Sequence, residues 1–498
     1  MTQEKLLTTI YIWKGKLQAQ TPFHIGKGEE GENTDAIVMR DWKSRPYIPA
    51  SSLAGVFRSC FRMMGVPKNI IDILCGSCNQ RSLLRYEDAY PIQDAATEIR
   101  DGVSINRERK VAQDKAKFDL ETVAKGTCFQ FSLQLHLEDW SGDQDVSVEE
   151  LIGHVNKAID AWCKDFCHIG KGASRGLGWF HLEISQREKV DLAQPEELCG
   201  WLLERKGVVW NDQKEMGNPS LLKLSFVLTV EEPIVIKDSR YSFRENLPIH
   251  GLNLQSNHSG FLSDIPDYQP LLTRLHDGKY HYLLTGSSIK GPLRLQAECI
   301  LKDILGEDKV CDLTQSDNCS ARLKAQKERN YTSRKEWEKR VCPACAMFGN
   351  TYLKSRIIIT DAIGKNIATK RLDHVALDEF TQEPMEEGAK FDGEVIYTGE
   401  FETTWMACFF GSKASNGFLP WQNIILYLLL RDIQKGRIRF GFGKCKGFGK
   451  LTIKEETISQ FLSNAGIKIE EMKKVMEEFQ KNVRPWKEIL PACIEKGQ

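Results

Sequence analysis

What this chain of 498 residues lacks narrows its class before any motif is read. No uninterrupted apolar run approaches the roughly 18 residues that a membrane span needs, so no membrane partner is expected. The opening residues Met1, Thr2, Gln3, Glu4 and Lys5 lead into no apolar core with a small-residue cleavage site, which argues against export and for the cytoplasm. Charge of one sign is missing too. The 68 Lys and Arg balance 68 Asp and Glu, so any case for a nucleic-acid partner must rest on local patches. Histidines are few: of the ten, His24, His168 and His374 lie near motifs and read as structural, and no Ser or Cys nucleophile has a triad around it. Neither glycine-rich stretch fits GxxxxGK[ST] or GxGxxG, which leaves little weight for a nucleotide-binding loop.

What is present describes an ordinary globular protein, 41% hydrophobic and 27% charged. At roughly 100 to 200 residues per domain, the length suggests two to four domains. The fifteen cysteines, in a chain without an export signal, read as reduced thiols of which a few bind metal.

The chain repeats itself. KLQAQTPFHIGKG (16–28) and KLSFVLTVEEPIVI (223–236) both look like an opening strand stopped near a proline. PASSLAGVFR (49–58) and TGSSIKGPLR (285–294) each turn from a strand through small hydroxyl residues into a helix that Ser or Thr can cap. CGSC (75–78) and CPACAMFG (342–349) follow, then Asp88-Ala89 and Asp361-Ala362, then GKGASRGLG (170–178) and GFGKCKGFG (441–449). Partners lie 236, 267, 273 and 271 residues apart, taken at Ser51, Cys75, Asp88 and Gly170. Matching order with a nearly constant offset implies a tandem duplication with an insertion in the second copy near 303–340. The expected division is a first domain at 1–185, a connector at 186–218, a second domain at 219–455 and a helical tail at 456–498.

Three groups of residues could carry chemistry. The glycine-rich stretches interleave glycines with cations, Lys171 and Arg175 in the first copy, Lys444, Lys446 and Lys450 in the second; residues 434–450 hold six Lys or Arg and no acid. Such a loop suits a phosphodiester backbone, with Phe440, Phe442 and Phe448 available to stack on bases or pack inward. The bland alternative is a turn with solvated lysines. The second group is acidic: Asp35 in GENTDAIVMRD, and Asp264 and Asp267 in SDIPDYQP, could coordinate Mg²⁺ or accept a proton from a 2′-OH, though a loop aspartate is commonly a turn former. The third is thiol: Cys311, Cys319, Cys342 and Cys345 could close the insertion around a structural Zn²⁺. Cys75 and Cys78 have only Cys60 or His24 as further ligands, and buried free thiols are the alternative there.

Together these elements resemble the RAMP superfamily of CRISPR proteins, and within it the Cas-seven backbone subunits of type III effector complexes. Two fused copies look most like the double subunit of type III-D systems. The resemblance implies an α+β fold of two tandem ferredoxin-like, RRM-like domains, each with an inserted β-hairpin thumb, at 105–118 and 377–391. The first thumb is basic (Arg107, Arg109, Lys110, Lys115, Lys117) and the second acidic (Asp378, Glu379, Glu383, Glu386, Glu387). It implies guide CRISPR RNA and complementary target RNA as partners, with a large polymerase-like subunit, other RAMP subunits and a small subunit. RNA contacts are expected at Lys27, Ser51, Ser52, Arg58, Arg107, Arg109, Lys171, Arg175, Ser287, Ser288, Lys290, Arg294, Lys444 and Lys446. Target cleavage would use Asp35 and Asp267, with Asp264 competing for the second site, and Mg²⁺ or Mn²⁺. Attack by the 2′-OH would leave 2′,3′-cyclic phosphates at cuts about six nucleotides apart. A silent RNA-binding scaffold and a Cas-six-like nuclease that processes guide RNA are the alternatives; the latter would lean on a histidine.

Overall fold

The computed structural model describes residues 8–28, 34–105, 112–140, 146–164, 167–203, 208–210, 223–238, 266–275, 279–325, 338–384, 390–407 and 418–489. The first half runs β1 (Thr9–Ala19), α1 (Ala50–Met63), α2 (Lys68–Cys75), β2 (Leu84–Tyr86), β3 (Thr97–Ile105), β4 (Ala112–Val123), β5 (Cys128–His136), α3 (Val148–Cys163), β6 (Cys167–His168), β7 (Trp179–Asp191), α4 (Pro195–Leu202) and β8 (Val208–Val209). Its sheet is ordered β2-β5-β1-β7-β6, with β8 along β7. Setting aside the β3/β4 hairpin, the chain reads β1-α1-β2-β5-α3-β7, and its four main strands stand in space in the order second, third, first, fourth. That is the ferredoxin-like arrangement. The core follows from helical periodicity: α1 buries Leu53, Phe57, Cys60 and Phe61 on one face, and Phe57 meets Trp162 of α3 at 4.2 Å between ring centroids.

The second half repeats the plan. It runs β9 (Lys223–Val230), β10 (Leu272–Arg274), β11 (Tyr280–Leu284), α5 (Gly286–Leu305), α6 (Cys319–Ala325), α7 (Pro343–Phe348), β12 (Ile357–Ile359), β13 (Ala362–Val375), β14 (Lys390–Ala407), α8 (Pro420–Gln434), β15 (Leu451–Thr452), α9 (Glu455–Ala465), α10 (Ile469–Asn482) and α11 (Trp486–Ile489). β12, β14, β9 and β15 again stand in the order second, third, first, fourth, and β13 pairs with β14 as the hairpin inserted between second and third strands. α5 starts at Thr285, whose hydroxyl accepts from the Ser288 N–H at 3.2 Å.

Equivalent bridges fix the register between the copies. Phe23–Val123 corresponds to Ile234–Ile396, and Ile48 beside Ala89 corresponds to Leu284 beside Ala362. Arg58 donates to the Gly76 carbonyl and Arg294 to that of Gly349, while Ser82 and Ser355 make the same pair of main-chain bonds. This register corrects one pairing. Cys75 stands opposite Phe348, and the place of Cys345 is held in the first copy by Asp72, so CGSC and CPAC are not equivalent.

Described parts of the expected connector and of the expected tail belong to the cores. β7 continues through Asp191, and Trp210 packs edge-on against Tyr11 and Trp13 at 5.1 and 5.8 Å, so the segment expected as a connector contributes to the first sheet; residues 211–222 lie outside the described residues. The helical tail buries Phe461 in the second core and stacks Phe479 on Trp421 at 4.3 Å. Among the described residues, no helix is long and apolar enough to cross a membrane.

Candidate RNA interface and metal centre

Asp35 and Asp267 are held in the same way. The Asp35 carboxylate accepts from the Asp119 N–H at 2.7 Å, and that of Asp267 from the Asp392 N–H at 2.9 Å. Asp119 and Asp392 occupy matching positions at the base of the two hairpins, and both loop aspartates are exposed. Asp267 is therefore the counterpart of Asp35; Asp264 lies outside the described residues. On the residue before each anchoring N–H a cation sits over an aromatic ring, Arg175 over Phe118 at 5.7 Å and Lys446 over Phe391 at 4.8 Å. Across each hairpin a second acid faces the first, Asp101 opposite Asp119 and Asp373 opposite Asp392. Neither acid of these hairpin pairs was anticipated, yet a signal exists: AKFDLE (116–121) and AKFDGE (389–394) repeat almost letter for letter.

The surroundings differ. Arg371 pairs with the Asp392 carboxylate, whereas Ile99 stands at the matching place in the first hairpin. Lys237 lies over Phe442 and Tyr268 at 3.8 and 4.6 Å; burial and the Lys446 charge lower its pKa, and Asp267 opposes them. The Tyr268 hydroxyl is hydrogen-bonded to His374 Nε2 at 2.9 Å. The first copy has Gly26, Ala36 and Gly102 where these three side chains stand. The second site is thus crowded and cationic, and the first is open.

The glycine-rich loops are alike down to their backbone. A Cβ at Gly170 would sit 2.2 Å from the His24 carbonyl and one at Gly441 2.4 Å from that of Val235, both with positive φ, so only glycine lets either loop close against its own domain's opening segment. Phe440 and Phe448 pack inward and Phe442 stays partly exposed, while Lys171 and Lys446 point outward.

The first loop meets the second domain. The Arg175 carbonyl would lie 2.5 Å from a Cβ on Gly286, and Trp179 packs with Ile358 and Met406. A cleft of about 340 Å³ opens there, lined by Arg175, Ser287, Lys290 and Arg294 among others, so four expected RNA contacts from both halves converge. Ser51 is exposed and Ser52 half-buried at the start of α1, and Lys27 is exposed in its loop. Lys444 is half-buried, and Ser288 is hydrogen-bonded to the Thr285 hydroxyl at 2.8 Å. Two arginines are bound internally: Arg58 by Asp72 at 3.1 Å and by Gly76, and Arg294 by Glu298 at 2.8 Å and by Gly349. Arg107 and Arg109 lie outside the described residues.

A sequence profile of the RAMP superfamily matches residues 16–181 and 227–452, which are the two ferredoxin-like units. The chain belongs to the RAMP superfamily. RAMP proteins generally bind CRISPR RNA within multisubunit complexes. No curated protein matches the chain.

This RAMP chain differs between its halves in thiol chemistry. Cys311, Cys319, Cys342 and Cys345 are all buried with their sulfurs within 4.8 Å of one another. Cys311 stands 3.6 Å from both Cys342 and Cys345, close to the roughly 3.8 Å edge of a tetrahedron with Zn–S near 2.3 Å. Arg294 donates to Cys345 Sγ at 3.4 Å, a second-layer contact that steadies a thiolate ligand. The cluster can hold a metal, and four buried sulfurs fit zinc. Among the described residues no third ligand joins Cys75 and Cys78. Cys78 faces solvent, while burial pushes the Cys75 thiol up to about 11 and that of Cys60 to about 12. The described residues gather one other group of metal-type ligands, His136, Glu138 and Asp139, and there Arg81 and Arg85 already pair with Asp139.

Proposed function

We propose that the chain is a backbone subunit of a cytoplasmic type III CRISPR ribonucleoprotein, holding guide RNA across both domains and cutting complementary target RNA at two sites about six nucleotides apart. The observation that carries this reading is the matched hold on Asp35 and Asp267, each exposed, each anchored by a main-chain N–H at a hairpin base, each with a cation over the aromatic ring of the residue before that N–H. The anchor leaves the rest of the carboxylate facing solvent, where a bent target strand could present its 2′-OH and phosphate. Arg175 and Lys446 would meet that phosphate. A Mg²⁺ or Mn²⁺ held by the aspartate and the RNA phosphate would neutralise charge as the scissile bond breaks; such ions commonly take one or two carboxylates and fill out their shell with substrate oxygens and water. The four-cysteine cluster would hold a structural Zn²⁺ that closes the insertion. Sequence choice would fall to base pairing with the guide.

A scaffold without cleavage is the second reading, and it is favoured at the second site alone, where Arg371 already neutralises Asp392 and Lys237 crowds Asp267. One experiment separates the readings. The complex is assembled with guide and labelled complementary target in Mg²⁺, and wild type is compared with Asp35→Ala and Asp267→Ala. Each variant should lose one cut while RNA binding persists. Loss at Asp35 alone leaves the second domain a scaffold, and an unchanged ladder in both variants removes the aspartates from the mechanism.

A further inference from the structure

At the joint between the halves, Asp361 has two tasks. One oxygen accepts from the Gly286 N–H at 2.8 Å and so caps α5; the other pairs with Arg100 from the first hairpin. The pair is sealed, with side chains 9% and 5% exposed. Glu98 takes a second bond from Arg100 at 2.7 Å and accepts from the Thr273 hydroxyl at 2.9 Å, so every charge has a partner.

In the first domain, Asp88 stands where Asp361 stands in the second. It caps α1 in the same manner, accepting from the Ala50 N–H at 2.7 Å, but it is exposed. The same domain exposes apolar groups: Trp42, with Lys43 over its ring at 4.6 Å, is 86% exposed, Ile92 53% and Tyr90 36%. Tyr90 is stacked with Tyr47 at 5.7 Å, and Arg45, bound by Asp41 at 2.8 Å, lies over the Tyr90 ring at 5.7 Å, which leaves Trp42 as the more open aromatic face. A carboxylate beside flat aromatic faces suits a guanidinium, which pairs through its fork and stacks through its plane, better than an ammonium. We propose that Asp88 and the Trp42–Tyr90 face receive an arginine from the hairpin base of a RAMP domain on a different protein chain, forming a second joint like the internal one. The inference rests on the reading above that the chain works beside other RAMP subunits.

A second copy of this chain does not fit the socket. Arg100 lies opposite Leu120, and in the matching register of the second hairpin Leu372 lies opposite Gly393. Leu372 packs on the small core of Val235, Tyr268, Val395 and Phe448. The place of Glu98 is taken by Lys370, and Arg371, in the place of Ile99, is held by Asp392. The charge pattern that locks the first hairpin is absent from the second, so head-to-tail self-assembly lacks its pin.

Native mass spectrometry of the assembled complex, containing the chain, guide RNA and neighbouring RAMP subunits, tests the socket. Asp88→Asn keeps an oxygen for the Ala50 N–H and removes the charge. The variant should bind the RAMP subunit next to its first domain roughly ten-fold more weakly or worse, with the neighbour of its second domain unaffected. Unchanged retention of that subunit overturns the proposal. Sedimentation velocity of the chain alone checks the occupant: no self-association is expected, and a concentration-dependent series abolished by Asp88→Asn would show the occupant to be a second copy. Guide-RNA binding by wild type and Asp88→Asn is measured alongside. Failure of wild type to bind guide sinks the proposed function, whereas intact binding with unchanged subunit retention sinks only the socket.

Discussion

Single residues decide where charge can form in this protein. His168 Nε2 donates to the Leu177 carbonyl at 2.7 Å, and burial together with the Lys354 charge pushes its pKa down to about 3. An unfolded chain takes up a proton there near 6.5, which the folded chain refuses until far lower pH. Stability is therefore present above 6.5 and drains away as pH falls from 6.5 toward 3. His168→Gln keeps a polar group for the carbonyl and removes the titration. Denaturant unfolding at pH 7 and pH 5 should show the variant losing less stability than wild type over that interval, by on the order of 1 kcal/mol after allowance for partial exposure; equal losses would mean that His168 titrates as freely folded as unfolded. At this scale much was legible. Asp35 stands in the sequence after a glycine-rich turn and Asp267 in SDIPDYQP at a corresponding place before the second helix, and the structure anchors both by a main-chain N–H. The choice between Asp264 and Asp267 was not legible, because the loop before them is longer in the second copy and fixes no spacing, while the constant reference is the AKFD repeat on the hairpin.

Elements are set by what closes them. The insertion between α5 and β12 is short for a core of its own, and it buries Cys311 and Cys319 against Cys342 and Cys345 instead. Arg294 joins that cluster to α5 by bonding Cys345, Gly349 and Glu298 at once, a task that needs a planar fork. Arg294→Lys keeps the charge and loses the fork. Competition with a chelator should show zinc affinity reduced about 10- to 100-fold, while Cys342→Ser should abolish the zinc measured by metal analysis; zinc content unchanged in Cys342→Ser would remove that cysteine from the ligands. The four-cysteine group was legible from spacing, but the match of CGSC to CPAC was not sound. Its separation of 267 falls between 236 and the 273 of the aspartates, and the structure shows no change of offset between Gly76 and Asp88, so the discrepant value was itself the mark of a false pair.

The whole molecule is held by a joint that no local pattern announces. Arg100 and Asp361 are 261 residues apart, and an arginine on a hairpin strand reads as a solvated charge until the second domain covers it. The tandem arrangement could be read from repeated motifs, since each copy carries its own hydrophobic periodicity; the contact between copies could not, since it depends on how two finished surfaces meet. Asp361 and Glu98 raise the Arg100 pKa against the pull of burial, so the guanidinium stays charged inside the joint. Replacing it by a neutral side chain strands two buried carboxylates. Arg100→Met should therefore cost about 3 to 5 kcal/mol, more than the pair contributes when intact, because the penalty lies in the uncompensated charges. The triple variant Arg100→Met, Glu98→Gln, Asp361→Asn removes those charges and should recover much of the loss, because the amide oxygen introduced by Asp361→Asn can still cap α5. Denaturant unfolding of the full chain distinguishes the cases: wild type should unfold with its halves coupled, and Arg100→Met should separate the transition into two steps. A single wild-type-like transition in Arg100→Met would show that Trp179, Ile358 and Met406 hold the halves together without the ion pair.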